Sequence, residues 1–224
     1  MAGILFIISA PSGSGKSTLV SQLRTLVEGL DFSISYTTRA PRGSETDGRE
    51  YHFTTRAEFE RMIAAGDFLE WAEVFGNYYG TAMSALGHAK DAGKDLLLDI
   101  DVQGAMQVIK RLPEAVSIFV LPPSPTVLEL RLRARSQAEE AASKVAIPEA
   151  IIQSRLAEAR NELKQIWDYK YALVNDVLDQ AVAEMRAIVL CERGDRDGVQ
   201  VLASSCRTDA ASPRLRAALD TFHE

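Results

Sequence analysis

The chain has 224 residues, 46% of them hydrophobic and 25% charged, and a formal net charge of −6. That composition excludes the disordered, fibrous and membrane-spanning classes and fits one compact domain carrying inserted subdomains or a tail. A net-acidic chain lacks the basic face that general polyanion binding needs, so nucleic acid is not an expected partner.

The N-terminal run Ile4-Leu5-Phe6-Ile7-Ile8 is too short to span a bilayer and has no cationic segment before it, so it predicts a strand and no membrane association. It ends in Ala10-Pro-Ser-Gly-Ser-Gly15, the pattern of a strand buried on both faces that runs into a tight loop. From Ser17, Leu19, Val20, Leu23 and Leu26/Val27 recur at helical spacing. Residues 34–84, with Thr37-Thr38, Pro41, several glycines and tyrosines, predict short strands and turns in an inserted lobe. The apolar runs 95–101, 116–121 and 171–174 predict further buried strands, and the alternation with helical stretches implies an α/β core with a parallel sheet flanked by helices. Residues 131–160 are rich in Arg, Glu, Ala and Gln, with Ile152, Leu156, Ala159, Leu163 and Ile166 at helical spacing. After about residue 193 periodicity weakens until Leu215, Leu219 and Phe222, which predicts a loosely attached tail. The two cysteines, Cys191 and Cys206, lack metal-site spacing in a chain too long to need disulfide staples, which points to a reducing, cytoplasmic compartment. His52, His88 and His223 form no cluster with metal-ligand spacing.

Ser12-Gly13-Ser14-Gly15-Lys16-Ser17-Thr18 follows an apolar strand and opens a helix, the context in which a Walker A phosphate loop has physical meaning. Small residues let the backbone wrap a phosphate chain at the positive end of the helix, Lys16 supplies a mobile cation, and the Ser17 hydroxyl can ligate Mg²⁺. Ala10 stands where the first glycine of the motif would be, which is tolerable where its φ is negative. Asp99 and Asp101 repeat every second residue at a strand's end and can face one site beyond the sheet's carboxyl edge, although helix capping is the bland alternative.

The lobe then reads Ser35-Tyr-Thr-Thr-Arg39-Ala-Pro-Arg42, Gly48-Arg-Glu-Tyr51, Glu70-Trp71 and Tyr78-Tyr79-Gly80-Thr81, followed by Leu98-Asp99-Ile100-Asp101-Val-Gln-Gly104 and Val174-Asn175-Asp176. In this order, from the phosphate loop to about residue 190, the chain resembles the guanylate kinases, P-loop enzymes that phosphorylate GMP with ATP. The resemblance implies a nucleotide-binding core at residues 1–33, 85–123 and 161–192, a GMP-binding lobe at 34–84, a mobile lid at 124–160 and a tail of unassigned role at 193–224. It implies that Arg39, Arg42 and Tyr51 clasp the GMP phosphate, that Glu70 takes the guanine donors, that Ser35 and Thr81 meet O6, that Tyr79 packs the nucleotide, and that Asp99 and Asp101 complete the site. Lid arginines Arg131, Arg135 and Arg155 would close on ATP, with Arg160 the rival of Arg155, and Asn175 would touch the ATP base or its surroundings. Lys16, Arg39, Arg42, Arg135 and Arg155 would be the catalytic set, and Mg²⁺ the cofactor, held at Ser17.

Elementary chemistry agrees with that division of labour. A monophosphate acceptor brings about −1.5 to −2 charge and is already nucleophilic, so catalysis needs gathered cations and alignment rather than a strong base. The turn after Arg135 is Ser136 where the family has glycine, and the stretch 137–149 is longer than the family's lid. Alternatives of other classes are a non-catalytic phosphopeptide-binding module on the same lobe, a kinase for another small phosphate, and a GTPase switch; the intact Gly15-Lys16-Ser17 and the guanine-reading set disfavour them. Oligomeric state and the choice between GMP and dGMP are left open by the sequence.

Overall fold

The computed structural model describes residues 3–143 and 148–222. In chain order the elements are β1 (Leu5–Ser9), α1 (Lys16–Leu26), β2 (Leu30–Phe32), β3 (Tyr36–Thr37), β4 (His52–Phe53), α2 (Arg56–Ala65), β5 (Phe68–Val74), β6 (Asn77–Ala82), α3 (Met83–Asp91), β7 (Asp95–Asp99), α4 (Val102–Arg111), β8 (Val116–Leu121), α5 (Pro125–Ser143), α6 (Glu149–Leu163), β9 (Tyr171–Val174), α7 (Leu178–Glu192), α8 (Gln200–Ser205) and α9 (Pro213–Asp220). Strands β2-β7-β1-β8-β9 form a five-stranded sheet, and β2 on β7 and β8 on β9 pair in parallel. The runs LFIIS, VSIFVL and YALV are buried at every position, as strands covered on both faces must be. β2 lay outside the expected strands: its three residues include Asp31, and only pairing with β7 makes them a strand.

Two compact units divide the chain, residues up to Ile7 with Gly29–Ala115, and Ile8–Glu28 with Val116 onward. In the first, a four-stranded sheet of order β4-β3-β6-β5 carries helix α2 on one face, where Phe59, Met62 and Phe68 pack with Tyr36, Ile63 and Tyr78. The expectation of strands and turns alone missed α2. Its signals are local: the Thr55 hydroxyl accepts from the Glu58 N–H, Phe59, Met62 and Ile63 share one face, and Gly66 ends the helix at φ 73°.

In the second unit, α5 and α6 pack through Leu128, Leu132, Ile152, Leu156 and Ala159, of which the three on α6 belong to the stripe that the sequence predicts. Residues 144–147 of the longer lid segment, and His223, lie outside the described residues. The chain after α7 is not loosely attached. The Ala172 N–H donates to the Cys206 carbonyl and the Thr208 N–H to the Lys170 carbonyl, so residues 206–208 bind the edge of β9. Leu215, Ala218 and Leu219 of α9 are buried, and Phe222 packs on the α5–α6 cluster. Apolar residues spaced at one helical stripe sufficed to dock this segment. Both cysteines are free thiols. Among the described residues no helix is long and apolar enough to cross a membrane.

Candidate functional site

The face of the lobe sheet opposite α2 collects the residues singled out for the acceptor. Glu70 on β5 stands directly opposite Thr81 on β6, and Tyr79, two residues before Thr81, stands opposite Ala72 and Thr37. Continuing the β3–β6 register by one residue sets Ser35 beside Thr81, and the Ser35 carbonyl accepts the His52 N–H at 2.9 Å, next to Tyr51. Because strand side chains alternate, Glu70, Thr81, Ser35 and Tyr51 therefore form one row, with Tyr79 in the next.

Glu70 is buried, at 2% exposure, and a Cβ on Gly104 would overlap its carboxylate. The carboxylate thus lies against the first turn of α4, where free N–H groups and the helix dipole favour negative charge. Asp101 is the cap of that helix, two residues beyond the end of β7 at Asp99: its Oδ1 accepts the Gly104 N–H at 3.0 Å. Glu70 is also held from behind. Gln107 of α4 donates to the Trp71 carbonyl at 2.6 Å, and Arg111 to the Leu69 carbonyl at 2.5 Å, so the open edge of β5 is fastened on both sides of the glutamate. Thr81 Oγ1, opposite, is buried with no hydrogen-bond partner among the described residues. An orphan hydroxyl of this kind costs about 1–3 kcal/mol unless a ligand satisfies it.

Arg39 is buried and forks onto Glu45, with Nη1 to Oε2 at 2.9 Å and Nη2 to Oε1 at 3.0 Å. Its guanidinium lies 5.3 Å from the Tyr51 ring centre, and the Tyr51 and Tyr79 rings are 5.9 Å apart. Arg42 is exposed and gives Glu45 a backbone N–H at 2.7 Å. Burial alone would raise the Glu45 pKa, but the Arg39 fork and the Arg42 N–H outweigh it and hold the carboxyl below its ordinary 4.5. A depressed carboxylate stabilises the fold above its unfolded pKa, and that contribution fades as pH falls through the folded value. Glu45→Gln is therefore expected to melt below the parent at pH 7, with the gap closing as pH drops below about 4.5; a gap independent of pH in thermal unfolding would contradict the ion pair.

In the second unit, β1 delivers the phosphate loop. Gly13 and Gly15 take φ of 90° and 86°, the region that disfavours side chains, whereas Ala10 is not among the positive-φ residues, so the departure from glycine there is harmless. Gly15 caps α1 with no side chain on its first turn, so Lys16, Ser17 and Thr18 open a helix whose N-terminal N–H groups no side-chain cap occupies. Ser12 and Gly13 are half-buried and Ser14 is fully buried. Asn175 and Arg131, expected beside ATP, hold the loop's backbone. Asn175 Nδ2 donates to the Ser14 carbonyl at 2.8 Å, Arg131 Nη1 to the same carbonyl at 3.2 Å, and Arg131 Nη2 to the Asn175 carbonyl at 3.0 Å. The buried Asn175 amide and the half-buried Arg131 guanidinium both take main-chain acceptors. Arg155 reaches the buried Ser136 of α5 at 3.4 Å, so it faces the α5–α6 seam, whereas Arg160 is exposed on a groove beside Trp167 and Arg216. Arg135 is exposed on α5.

A guanylate kinase family model matches residues 3–192. A guanylate kinase of Koribacter versatilis is 50% identical over all of this chain and 97% of its own length, and one of Nitrosospira multiformis is 48% identical over 85% of this chain and 87% of its own. The chain belongs to the guanylate kinase family. A crystal structure of guanylate kinase from Anaplasma phagocytophilum superposes with a TM-score of 0.68 at 31% identity, covering 88% of this chain and 87% of that one.

Sequence reasoning about a guanylate kinase passes over Glu45, Gln107 and Arg111, because each acts through a partner distant in the chain or through main-chain atoms. Gly104 was readable only as part of a motif. Its meaning, a backbone approached by a buried carboxylate, needs the fold.

Proposed function

We propose that this chain transfers the γ-phosphoryl of ATP to GMP, and to dGMP, giving ADP and GDP. The observation that carries the acceptor's identity is the Glu70–Thr81 pair: a buried carboxylate at a helix N-terminus, opposite a buried hydroxyl with no hydrogen-bond partner among the described residues. Guanine offers N1–H and N2–H₂ donors beside the O6 acceptor. The carboxylate answers the donors and the Thr81 hydroxyl, with Ser35, answers O6, whereas adenine would set an acceptor against Glu70 and strand it.

In this reading Arg39, pre-aimed by Glu45, joins Arg42 and Tyr51 on the GMP phosphate, Tyr79 packs the nucleotide, and Asp99 and Asp101 border it at the end of β7 and the start of α4. The loop Ser12–Thr18 wraps the ATP phosphates with its N–H groups, and Lys16 follows charge onto the β- and γ-oxygens. Arg131 and Asn175 keep the loop in shape. Arg135 and Arg155, on helices that act as a lid, approach the separating phosphoryl group, where delocalised cations stabilise spread charge. Ser17, with its hydroxyl exposed at the start of α1, fits Mg²⁺, a cation commonly held by one or two protein oxygens plus phosphates and water. When bound, Mg²⁺ neutralises charge on the β- and γ-phosphates. Free thiols support a reducing, cytoplasmic setting.

The test is ADP release from MgATP with GMP, dGMP, AMP, CMP and UMP in turn. Turnover with the guanine nucleotides alone is expected; turnover with AMP at comparable kcat/KM would overturn the acceptor assignment. Thr81→Val separates binding from folding. Removing an unpartnered buried hydroxyl while keeping its shape should leave Tm unchanged or higher, while KM for GMP rises about 5- to 10-fold from one lost hydrogen bond. A lower Tm with unchanged KM would show that the hydroxyl serves the fold instead.

A further inference from the structure

The family model ends at residue 192, yet α9 reaches back to the strand end that supports the phosphate loop. Pro213 starts α9, and the Ser212 hydroxyl caps it by accepting the Leu215 N–H, which fixes the first turn carrying Arg214. The Arg214 guanidinium spans three acceptors. Nη2 donates to the Val174 carbonyl at 2.8 Å and to Asp176 Oδ1, and Nη1 donates to Oε1 of the buried Glu184 on α7. Val174 and Asp176 flank Asn175, the residue whose amide holds the Ser14 carbonyl and whose own carbonyl receives Arg131.

We infer that Arg214 is a positioning residue for ATP: through Val174 and Asp176 it fixes Asn175, and through Asn175 it fixes the phosphate loop. The chain of contacts is continuous and polar, Arg214 to residues 174–176 to Ser14. Leu215, Ala218 and Leu219 are buried and anchor the helix that carries Arg214. A guanidinium suits the task, because its planar fork divides the acceptors between Nη1 and Nη2, whereas a lysine's three donors all sit on one nitrogen. Asp176 responds accordingly: burial would raise its pKa, and the Arg214 hydrogen bond with the Val177 N–H lowers it instead.

The inference rests on the proposed ATP chemistry, so the experiment reads ATP binding apart from turnover. MgATP and GMP affinities are measured by calorimetry for the parent, Arg214→Ala, Arg214→Lys and the double variant Arg214→Met/Glu184→Gln, with Tm recorded for each. The double variant removes the charge that Arg214→Ala would leave buried on Glu184, and so keeps the fold testable. ATP affinity is expected to fall about tenfold in Arg214→Ala and in the double variant, and less in Arg214→Lys, with GMP affinity unchanged. Unchanged ATP affinity in folded Arg214→Ala and in the double variant overturns the inference, whatever happens to Tm; so does an equal loss for GMP and ATP. A parent that binds ATP but does not phosphorylate GMP would sink the proposed function and leave this comparison readable.

Discussion

Replacing Glu70 by glutamine is expected to cut kcat/KM for GMP by about a hundredfold or more, chiefly through KM, while KM for ATP stays where it is. Two guanine N–H groups converge on this carboxylate, and hydrogen bonds to a charged acceptor are each worth about 1.5–3 kcal/mol. Glutamine keeps one oxygen and turns an NH₂ toward the second donor, so one bond is lost and a buried donor faces another. The same change should narrow discrimination against AMP, because an amide can donate to the adenine ring acceptor that a carboxylate cannot meet. Position matters as much as charge here. Glu70 is pinned by Gln107 and Arg111 on its neighbours' backbone and sits over Gly104, where a side chain would not fit. Steady-state kinetics with GMP and AMP decide the matter; a Glu70→Gln enzyme of parental GMP efficiency would show that the base is read elsewhere.

Lys16→Met is expected to lower kcat by about a thousandfold with GMP affinity intact, an effect in the range seen when one preorganised charge-stabilising group is removed. Methionine keeps the length and packing of the stem, so the loop, whose shape depends on Gly13, Gly15 and the bonds to Ser14, should stay folded. What vanishes is the cation that follows negative charge from the γ- to the β-phosphate. A loss confined to KM for ATP would show that Lys16 binds the ground state and transition state alike.

The sequence made the core legible because β1, β8 and β9 are almost wholly apolar runs and β7 has an apolar centre, and because the phosphate loop couples residue identity to a fixed context of strand before and helix after. The residues it singled out for the acceptor include a cross-strand pair, since the pairing of β5 with β6 sets Glu70 across from Thr81. Pairing at long range is where local patterns run out. Nothing near Arg39 announces Glu45 as its fork partner, nothing near Asn175 says that its amide turns to the loop's backbone, and Arg214 reads as one more surface cation until α9 is folded. The segment after residue 193 looked loose because its apolar residues are few, yet Leu215, Ala218, Leu219 and the main-chain bonds of 206–208 are enough to hold it. α2 was passed over because glycines and tyrosines around it suggested turns, although Thr55 and Gly66 mark its two ends.

The most direct measurement follows the γ-phosphoryl group itself. ATP labelled at the γ-phosphate is incubated with the protein, Mg²⁺ and GMP, and the products are separated. Label appearing in GDP, in proportion to ADP formed and absent with AMP, is the predicted result. Label released as inorganic phosphate, or retained in ATP although GMP is bound, would contradict the claim that this chain is a phosphotransferase between ATP and GMP.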